Sequence, residues 1–431
     1  MSPGRAAYPS GGGDHPRLAR RLGLGDAVVI GLGSMIGAGV FAAFTPAAAA
    51  AGSGLLVGLA LAAAVAWANA TSSAQLAAQF PESGGTYVYG RECLGESWGF
   101  AAGWAFVVGK TASCAAMAIT AATYALGGEA RAAQVVGLAV VGALTVVLTR
   151  GITKTARLAR VLLTVTLACL LVTVLVIAAF TRKWAAPWAG VGDATAYGIL
   201  QSAGLLFFAF AGYARIATLG EEVRAPTVTI PRAITRALGL VIALYAVLAL
   251  LLLATIGADG IAASALPLLT AAQAADVSWA GVFVRVGATV AALGALLGLL
   301  SGVGRTVLAM ARRGDLPRLL AAVDPGSKVP AVAQLWVAGA VAVLVLLTDL
   351  RHAIGFSSFG VLLYYAIANA SAWTQTGEHR RWPHWVQAAG LVGCLVLAAT
   401  LPIGSVVFGA LVVGAGVFGR VWLQRRGVPR S

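Results

Sequence analysis

The sequence predicts an all-α, multi-pass membrane protein with about twelve transmembrane helices, the first and sixth of them broken. Three observations carry the prediction. The 431 residues are 59% hydrophobic and only 10% charged, with a mean hydropathy of +0.88, far from the composition of a soluble domain. Apolar stretches long enough to cross a bilayer, roughly 17–25 residues each, recur from residue 25 to residue 423. Glycines crowd into two of these stretches in a way that a continuous helix does not favour.

The expected spans are 25–51, 54–78, 97–126, 131–149, 157–180, 196–220, 232–257, 279–311, 331–349, 354–373, 384–403 and 405–423. Residues 1–24, polar, glycine-rich and basic, read as a disordered cytoplasmic tail. A basic start before an apolar run, with alanine-rich sites after Pro46, also fits a cleaved leader, but the first span carries a glycine motif that a leader has no use for. Residues 25–373 form the expected core. Residues 374–431 add two accessory helices and a cytoplasmic C-terminus.

The net charge of +15 would suit nucleic acid, but its placement marks topology instead. With the N-terminus inside, only Arg131, Arg182, Lys183 and Arg351 fall in outer segments. Lys110, Arg215, Arg285 and Arg305 lie within spans, and every other basic residue is inner. This asymmetry predicts an even number of spans in the plasma membrane, with both termini cytoplasmic.

Several chemistries lack their residues. Cys93, Cys114, Cys169 and Cys394 have no CxxC spacing, so neither a disulfide framework nor a metal site is expected. The four histidines lie in the tail, in loops or at a span end, and no catalytic triad can be assembled. Gly109-Lys110-Thr111 imitates a phosphate-binding loop, but five residues separate Gly103 from Gly109 where the motif needs four, and no strand precedes it. An enzyme is not expected, and no cofactor is implied.

The glycines then become the question. GLGSMIGAGVF, residues 31–41, sets Gly31, Gly33, Gly37 and Gly39 within nine positions. Gly33 and Gly37 make a GxxxG packing pair, yet the four do not share one helical face. Local unwinding explains the density. In lipid, unpaired backbone groups survive only inside protein or beside a water-filled cavity. The N–H groups opening the second half-helix would suit a carboxylate, and the carbonyls closing the first would suit an ammonium group. A small zwitterion such as an amino acid complements both. The second candidate break is at Gly212, within FFAFAGYARIATLGEEVRAPTVTIPRAI, with Arg215 one turn further on.

On these segments the chain resembles the amino acid–polyamine–organocation superfamily, and within it the amino acid permeases. GLGSMIGAGVF looks like the first-helix signature, PESGGTYVYGRECLG (81–95) like the motif between spans 2 and 3, and the Gly212 segment like the sixth-helix signature. GVGRTVLAMARRGDLPRLLAAVDP (302–325) is similar to the segment leaving span 8. The resemblance implies two inverted five-helix repeats (a LeuT-like core) plus two extra helices, and secondary transport by alternating access, coupled to protons or to exchange. It implies that the backbone N–H groups of Gly37, Ala38 and Gly39 hold the substrate α-carboxylate, and that carbonyls near Met35, Phe208 and Ala211 receive the α-amino group. Phe210 and Tyr213 are gating or pocket candidates, with ordinary helix packing as the alternative.

Two departures stand out. Many relatives carry an acid after the glycine-aromatic pair of helix 6, where this chain has Ala214, so a cationic substrate loses a partner. Proton-coupled relatives can carry a lysine in helix 5, where the alignable positions here are Thr164 and Thr166.

An ionisable group inside a membrane is a functional candidate by default. Arg285 and Arg305, toward opposite ends of span 8, are expected to snorkel outward. Lys110 is deep in span 3. It is either a tethered cation that loses and regains its proton during the cycle or a lysine hydrogen-bonded to carbonyls of a broken helix. Arg215 is expected to meet a substrate carboxylate, or Glu221 or Glu222. The Glu221–Glu222 pair reads as a helix-end element of a cytoplasmic gate, facing Arg224, Arg232 or Arg236. The expected partners are thus an amino acid, a coupling proton and membrane lipids. The rival readings are a polyamine or organocation carrier and, from another class, a channel or non-transporting receptor. A channel or receptor would need a continuous polar pore or a soluble domain, and no loop between the spans exceeds about 20 residues.

Overall fold

A computed structural model describes residues 22–80, 84–150, 155–219, 222–324 and 329–425. Helix accounts for nearly all of the regular structure among them, beside one isolated parallel bridge between Leu22 and Val223. The expected first span is three pieces, α1 (Leu24–Met35), α2 (Ala38–Ala42) and α3 (Phe44–Ala51). Then come α4 (Leu55–Gln79), the short α5 (Thr86–Leu94), α6 (Glu96–Leu126), α7 (Ala130–Thr149) and α8 (Thr155–Phe180). The second half holds α9 (Ala196–Phe210), α10 (Ala214–Ala217), α11 (Pro226–Ala263), α12 (Pro267–Ala274) and α13 (Gly281–Arg312). It closes with α14 (Ala331–Leu347), α15 (Leu350–Trp373), α16 (His384–Thr400) and α17 (Ile403–Arg425).

Among the described residues, ten helical segments are long and apolar enough to cross a membrane, and α14 and α16 are shorter apolar helices. Large apolar side chains such as Leu171, Leu347 and Phe418 point outward, as a lipid-facing surface requires. The chain is a multi-pass membrane protein.

Helix ends follow local chemistry. Thr195 caps α9 by accepting from the Gly198 N–H at 3.0 Å, and Asp349 caps α15 by accepting from the His352 N–H at 2.8 Å. Gly127, at φ +74°, ends α6 in the left-handed conformation that glycine adopts without strain. Arg285 then covers the exposed end of α6, donating to the Tyr124 and Ala125 carbonyls at 3.1 and 2.5 Å.

Span 7 departs from its expected bounds of 232–257. It starts at Pro226, which suits the first helical position because its missing N–H has no intrahelical partner there, and continues beyond a kink at Gly257 (φ +67°) to Ala263. Pro231, one residue before the expected start, lies inside α11. The carbonyl it leaves without a partner, that of Thr227, accepts from Arg381 Nη2 at 3.2 Å instead.

At the end of the bundle that carries Leu22, two of the quoted motifs meet. Asp315, whose side chain is fully enclosed, lies 3.1 Å from Arg91 of α5 and 2.9 Å from Arg420 of α17. It also accepts from the Tyr87 hydroxyl at 2.7 Å. Burial, together with the apposed carboxylate, raises the Tyr87 phenol well above its ordinary pKa, keeping it a donor. Removing one partner of a buried, hydrogen-bonded ion pair costs about 3–5 kcal/mol. Asp315→Asn is therefore expected to lower the thermal unfolding midpoint in detergent clearly, while Asp349→Asn at an exposed cap changes it little.

Candidate functional site

The first span breaks where its glycines predicted. α1 ends at Met35, Ile36 and Gly37 leave helical geometry (φ/ψ −82°/77° and −132°/−137°), and α2 restarts at Ala38. Three of the four glycines then prove to have neighbours of their own. A methyl group on Gly37 would stand 2.7 Å from the Ala295 Cβ of α13 and 3.0 Å from Met117 of α6. On Gly39 it would stand 2.5 Å from the Ala209 Cα of α9, and on Gly31 it would strike Ile216 of α10. Gly33 has open space and lines a cavity, so it does not pack as a GxxxG partner of Gly37.

The sixth span is interrupted more gently. α9 tightens into a 3-10 turn over Ala211–Tyr213 and resumes as the four-residue α10. Here Gly212 lies against the first break, because a Cβ on it would fall on the Ser34 carbonyl and 2.6 Å from the Met35 nitrogen. The two interruptions are in backbone contact, and only glycine permits it.

Several side chains serve the backbone groups freed at this junction. The Tyr245 hydroxyl of α11 lies 2.7 Å from the Met35 carbonyl and 3.0 Å from that of Ala209. The Ala211 carbonyl accepts from Lys110 Nζ at 3.1 Å and from the Tyr365 hydroxyl at 3.3 Å. Lys110 is 4% exposed and its helix is continuous through Gly109–Thr111, which leaves the phosphate-loop imitation without a loop. The Ala38 N–H, which opens α2, donates to the Met117 thioether at 3.0 Å. Met117 follows Lys110 by seven residues, two turns along the same face of α6. One face of one helix thus addresses both breaks.

Phe208, Phe210 and Tyr213 are all buried. Phe210 packs on Tyr245, with ring centroids 5.1 Å apart, and Tyr213 stacks on Tyr365 at 5.0 Å. Beyond the break, Phe41 packs edge-on against Tyr124, whose hydroxyl donates to the Phe41 carbonyl at 2.9 Å.

Free space lies on the opposite side, toward Leu22. One cavity touches Ser34, Phe106, Lys110, Ala211, Gly212 and Arg215. A second extends between α1, α8 and α13 and is lined in part by Thr166, Glu222 and Ser301. Both have Ser34, Arg215, Gly298 and Arg305 in their walls. Thr166 stands at the cavity, whereas Thr164 is exposed and bonds the Arg160 carbonyl of its own helix.

The end of the bundle below these cavities is latched. The Leu22 N–H donates to the Glu222 carbonyl at 3.0 Å, and the Arg224 N–H donates to the Leu22 carbonyl at 2.9 Å. Arg160 of α8 pairs with Asp26 of α1. Glu222 was expected to face Arg224, Arg232 or Arg236, but its side-chain partner is Arg305 of α13, 3.6 Å away. The nearer arginine is thus one distant in sequence. Glu221 lies outside the described residues. Arg215 donates to the Thr218 hydroxyl at 3.2 Å and meets no carboxylate among the described residues.

Sequence reasoning missed Met117, Tyr245, Tyr365 and the Glu222–Arg305 pair. Tyr245 and Tyr365 did leave a signal, since each is a hydroxyl in mid-span that must find a partner. Met117 left none beyond its spacing from Lys110.

A bundle of apolar helices with two touching interruptions beside a cavity defines a membrane transporter of the broken-helix kind. The chain belongs to the amino acid permease family, whose model, described as "Amino acid permease", matches residues 22–418. It is 58% identical to an uncharacterized transporter of Mycobacterium tuberculosis over 93% of this chain and 90% of the relative. It is 27% identical to a branched-chain amino acid permease of Bacillus subtilis over 76% of this chain and 74% of that one. It is also 29% identical to a vacuolar cationic amino acid transporter of Arabidopsis thaliana, over 82% of this chain and 59% of the relative. The resemblance drawn from the four motifs holds, and the protein is a transporter rather than an enzyme.

Proposed function

We propose that this transporter carries amino acids across the plasma membrane by alternating access, with the substrate held where the first and sixth spans interrupt. One observation carries the reading: the contact of Gly212 with Ser34 and Met35 borders a cavity also lined by Lys110 and Arg215. In this reading α14 and α16 complete twelve spans. The first five and the next five form inverted repeats, residues 374–431 are accessory, and both termini are cytoplasmic. The cavities toward Leu22 then lie between the breaks and the latched cytoplasmic end.

The substrate α-carboxylate takes the N–H groups of Gly37, Ala38 and Gly39 once Met117 turns aside, and the α-amino group takes the carbonyls of Met35, Phe208 and Ala211. Phe210 and Tyr213 hold Tyr245 and Tyr365 in place, and those hydroxyls keep the carbonyls aimed. Lys110 occupies the Ala211 carbonyl between turnovers, yields it to the arriving ammonium group, and exchanges a proton with water in the cavity. The polyamine alternative is disfavoured because Glu222, already paired with Arg305, is the one carboxylate among the described lining residues.

Reconstitution into liposomes with a radiolabelled amino acid panel tests the function. Uptake stimulated by an imposed pH gradient, or by amino acid preloaded inside, is expected. Uptake driven by sodium alone, or no amino acid uptake, overturns it. A narrower prediction concerns Met117→Leu, which keeps the apolar bulk but removes the acceptor that competes with the carboxylate. A neutral hydrogen bond contributes about 0.5–1.5 kcal/mol net, so equilibrium binding of the substrate should tighten by roughly 2–10-fold.

A further inference from the structure

The cavity lining is unbalanced in charge. Among the described lining residues it carries three cations, Lys110, Arg215 and Arg305, against one carboxylate, Glu222. Glu222 is committed to Arg305 at 3.6 Å. Lys110 donates to the Ala211 carbonyl at 3.1 Å. Arg215 has five N–H donors and the Thr218 hydroxyl as its one side-chain hydrogen-bond partner among the described residues, with Glu222 acting on it electrostatically but forming no ion pair with it. A guanidinium set among apolar helices calls for a planar anion that it can grip with two parallel hydrogen bonds. Arg215 also stands four residues, about one helical turn, beyond the Ala211 carbonyl, on the cavity side toward Leu22.

We propose that Arg215 selects amino acids whose side chain ends in a carboxylate, so that the preferred substrates are acidic. The inference rests on the reading that an amino acid binds at the breaks. With the ammonium group on the Ala211 and Met35 carbonyls, a side chain directed toward Leu22 places its terminal group beside Arg215. A second carboxylate there offsets the surplus positive charge, whereas a lysine or arginine side chain adds to it. A neutral amide of the same shape fits but leaves the guanidinium without its anion, and a site built for such a bond discriminates strongly against an analogue that lacks it.

The test is competition in proteoliposomes carrying the intact chain, with L-glutamate and L-aspartate set against L-glutamine, L-asparagine, L-leucine and L-lysine. The acidic pair is expected to compete at least about tenfold better than the amides, with lysine weakest. Arg215→Gln is expected to remove that preference, bringing the acidic pair down to the level of the amides, and Arg215→Lys to keep part of it. Equal competition by acid and amide in the unaltered protein overturns the proposal, and it needs no variant to fold. Equal loss of both classes in Arg215→Gln also overturns it, placing the α-carboxylate at Arg215 instead. Neutral amino acid uptake with acidic ones excluded sinks this inference alone, whereas no amino acid uptake at all sinks the reading beneath it.

Discussion

Gly212→Ala is expected to reduce uptake by roughly 5–150-fold while the protein still reaches the membrane. The added methyl would fall on the Ser34 carbonyl and within 2.6 Å of the Met35 nitrogen, both backbone atoms with no rotamer to turn away. Inserting bulk into a packed junction costs about 1–3 kcal/mol, and a free energy of that size, placed on one conformation of a two-state element, changes its population by the stated factor. The cost falls where the two interrupted spans touch, the place proposed to hold the substrate. Gly239→Ala, where an added methyl meets nothing within 4 Å, is the matched control and should transport normally. Initial rates of labelled amino acid uptake, normalised to protein in the membrane, separate the two. Near-normal uptake by Gly212→Ala would mean that the junction is not where the transporter works.

Lys110→Ala is expected to uncouple. The ammonium group holds the Ala211 carbonyl at 3.1 Å from a position 4% exposed, and removing it leaves that carbonyl with the longer bond from Tyr365. If Lys110 carries the coupling proton, the variant should exchange amino acid across the membrane yet lose the stimulation that an imposed pH gradient gives the unaltered protein. Lys110→Arg should fail in the same way, because a guanidinium does not give up its proton in proteins. Lys110→Ala with normal transport and unchanged pH dependence would reduce Lys110 to a brace for the sixth span.

The spans were legible because their signal is local. A run of apolar residues needs no partner to declare its length, and span 3, expected at 97–126, is Glu96–Leu126. The start of span 7 was less legible, since Pro226 and Pro231 both announce a helix boundary, and only the distant Arg381 makes the second tolerable inside one. The break at Gly37 was readable from glycine density. Its cause was only half so, because Gly31, Gly37 and Gly39 meet α10, α6 with α13, and α9 respectively, and no periodicity encodes three separate neighbours.

The four quoted motifs meet in space, the third and fourth through Glu222 and Arg305. The first and third meet at Gly212, and the second and fourth meet where Tyr87 and Arg91 reach Asp315. The sequence named these stretches without saying which touches which. Met117 and the Glu222–Arg305 pair stayed hidden for the same reason, since their partners lie far away along the chain.

The central claim is that the interruption of the first span holds the substrate through its α-carboxylate. Equilibrium binding to the purified protein, comparing the best-transported amino acid with its α-amide and its α-methyl ester, tests it most directly. Backbone N–H groups at a helix start favour a negative charge over a neutral acceptor, so both neutral derivatives are predicted to bind at least about tenfold more weakly. Derivatives that bind as tightly as the parent amino acid would contradict the account.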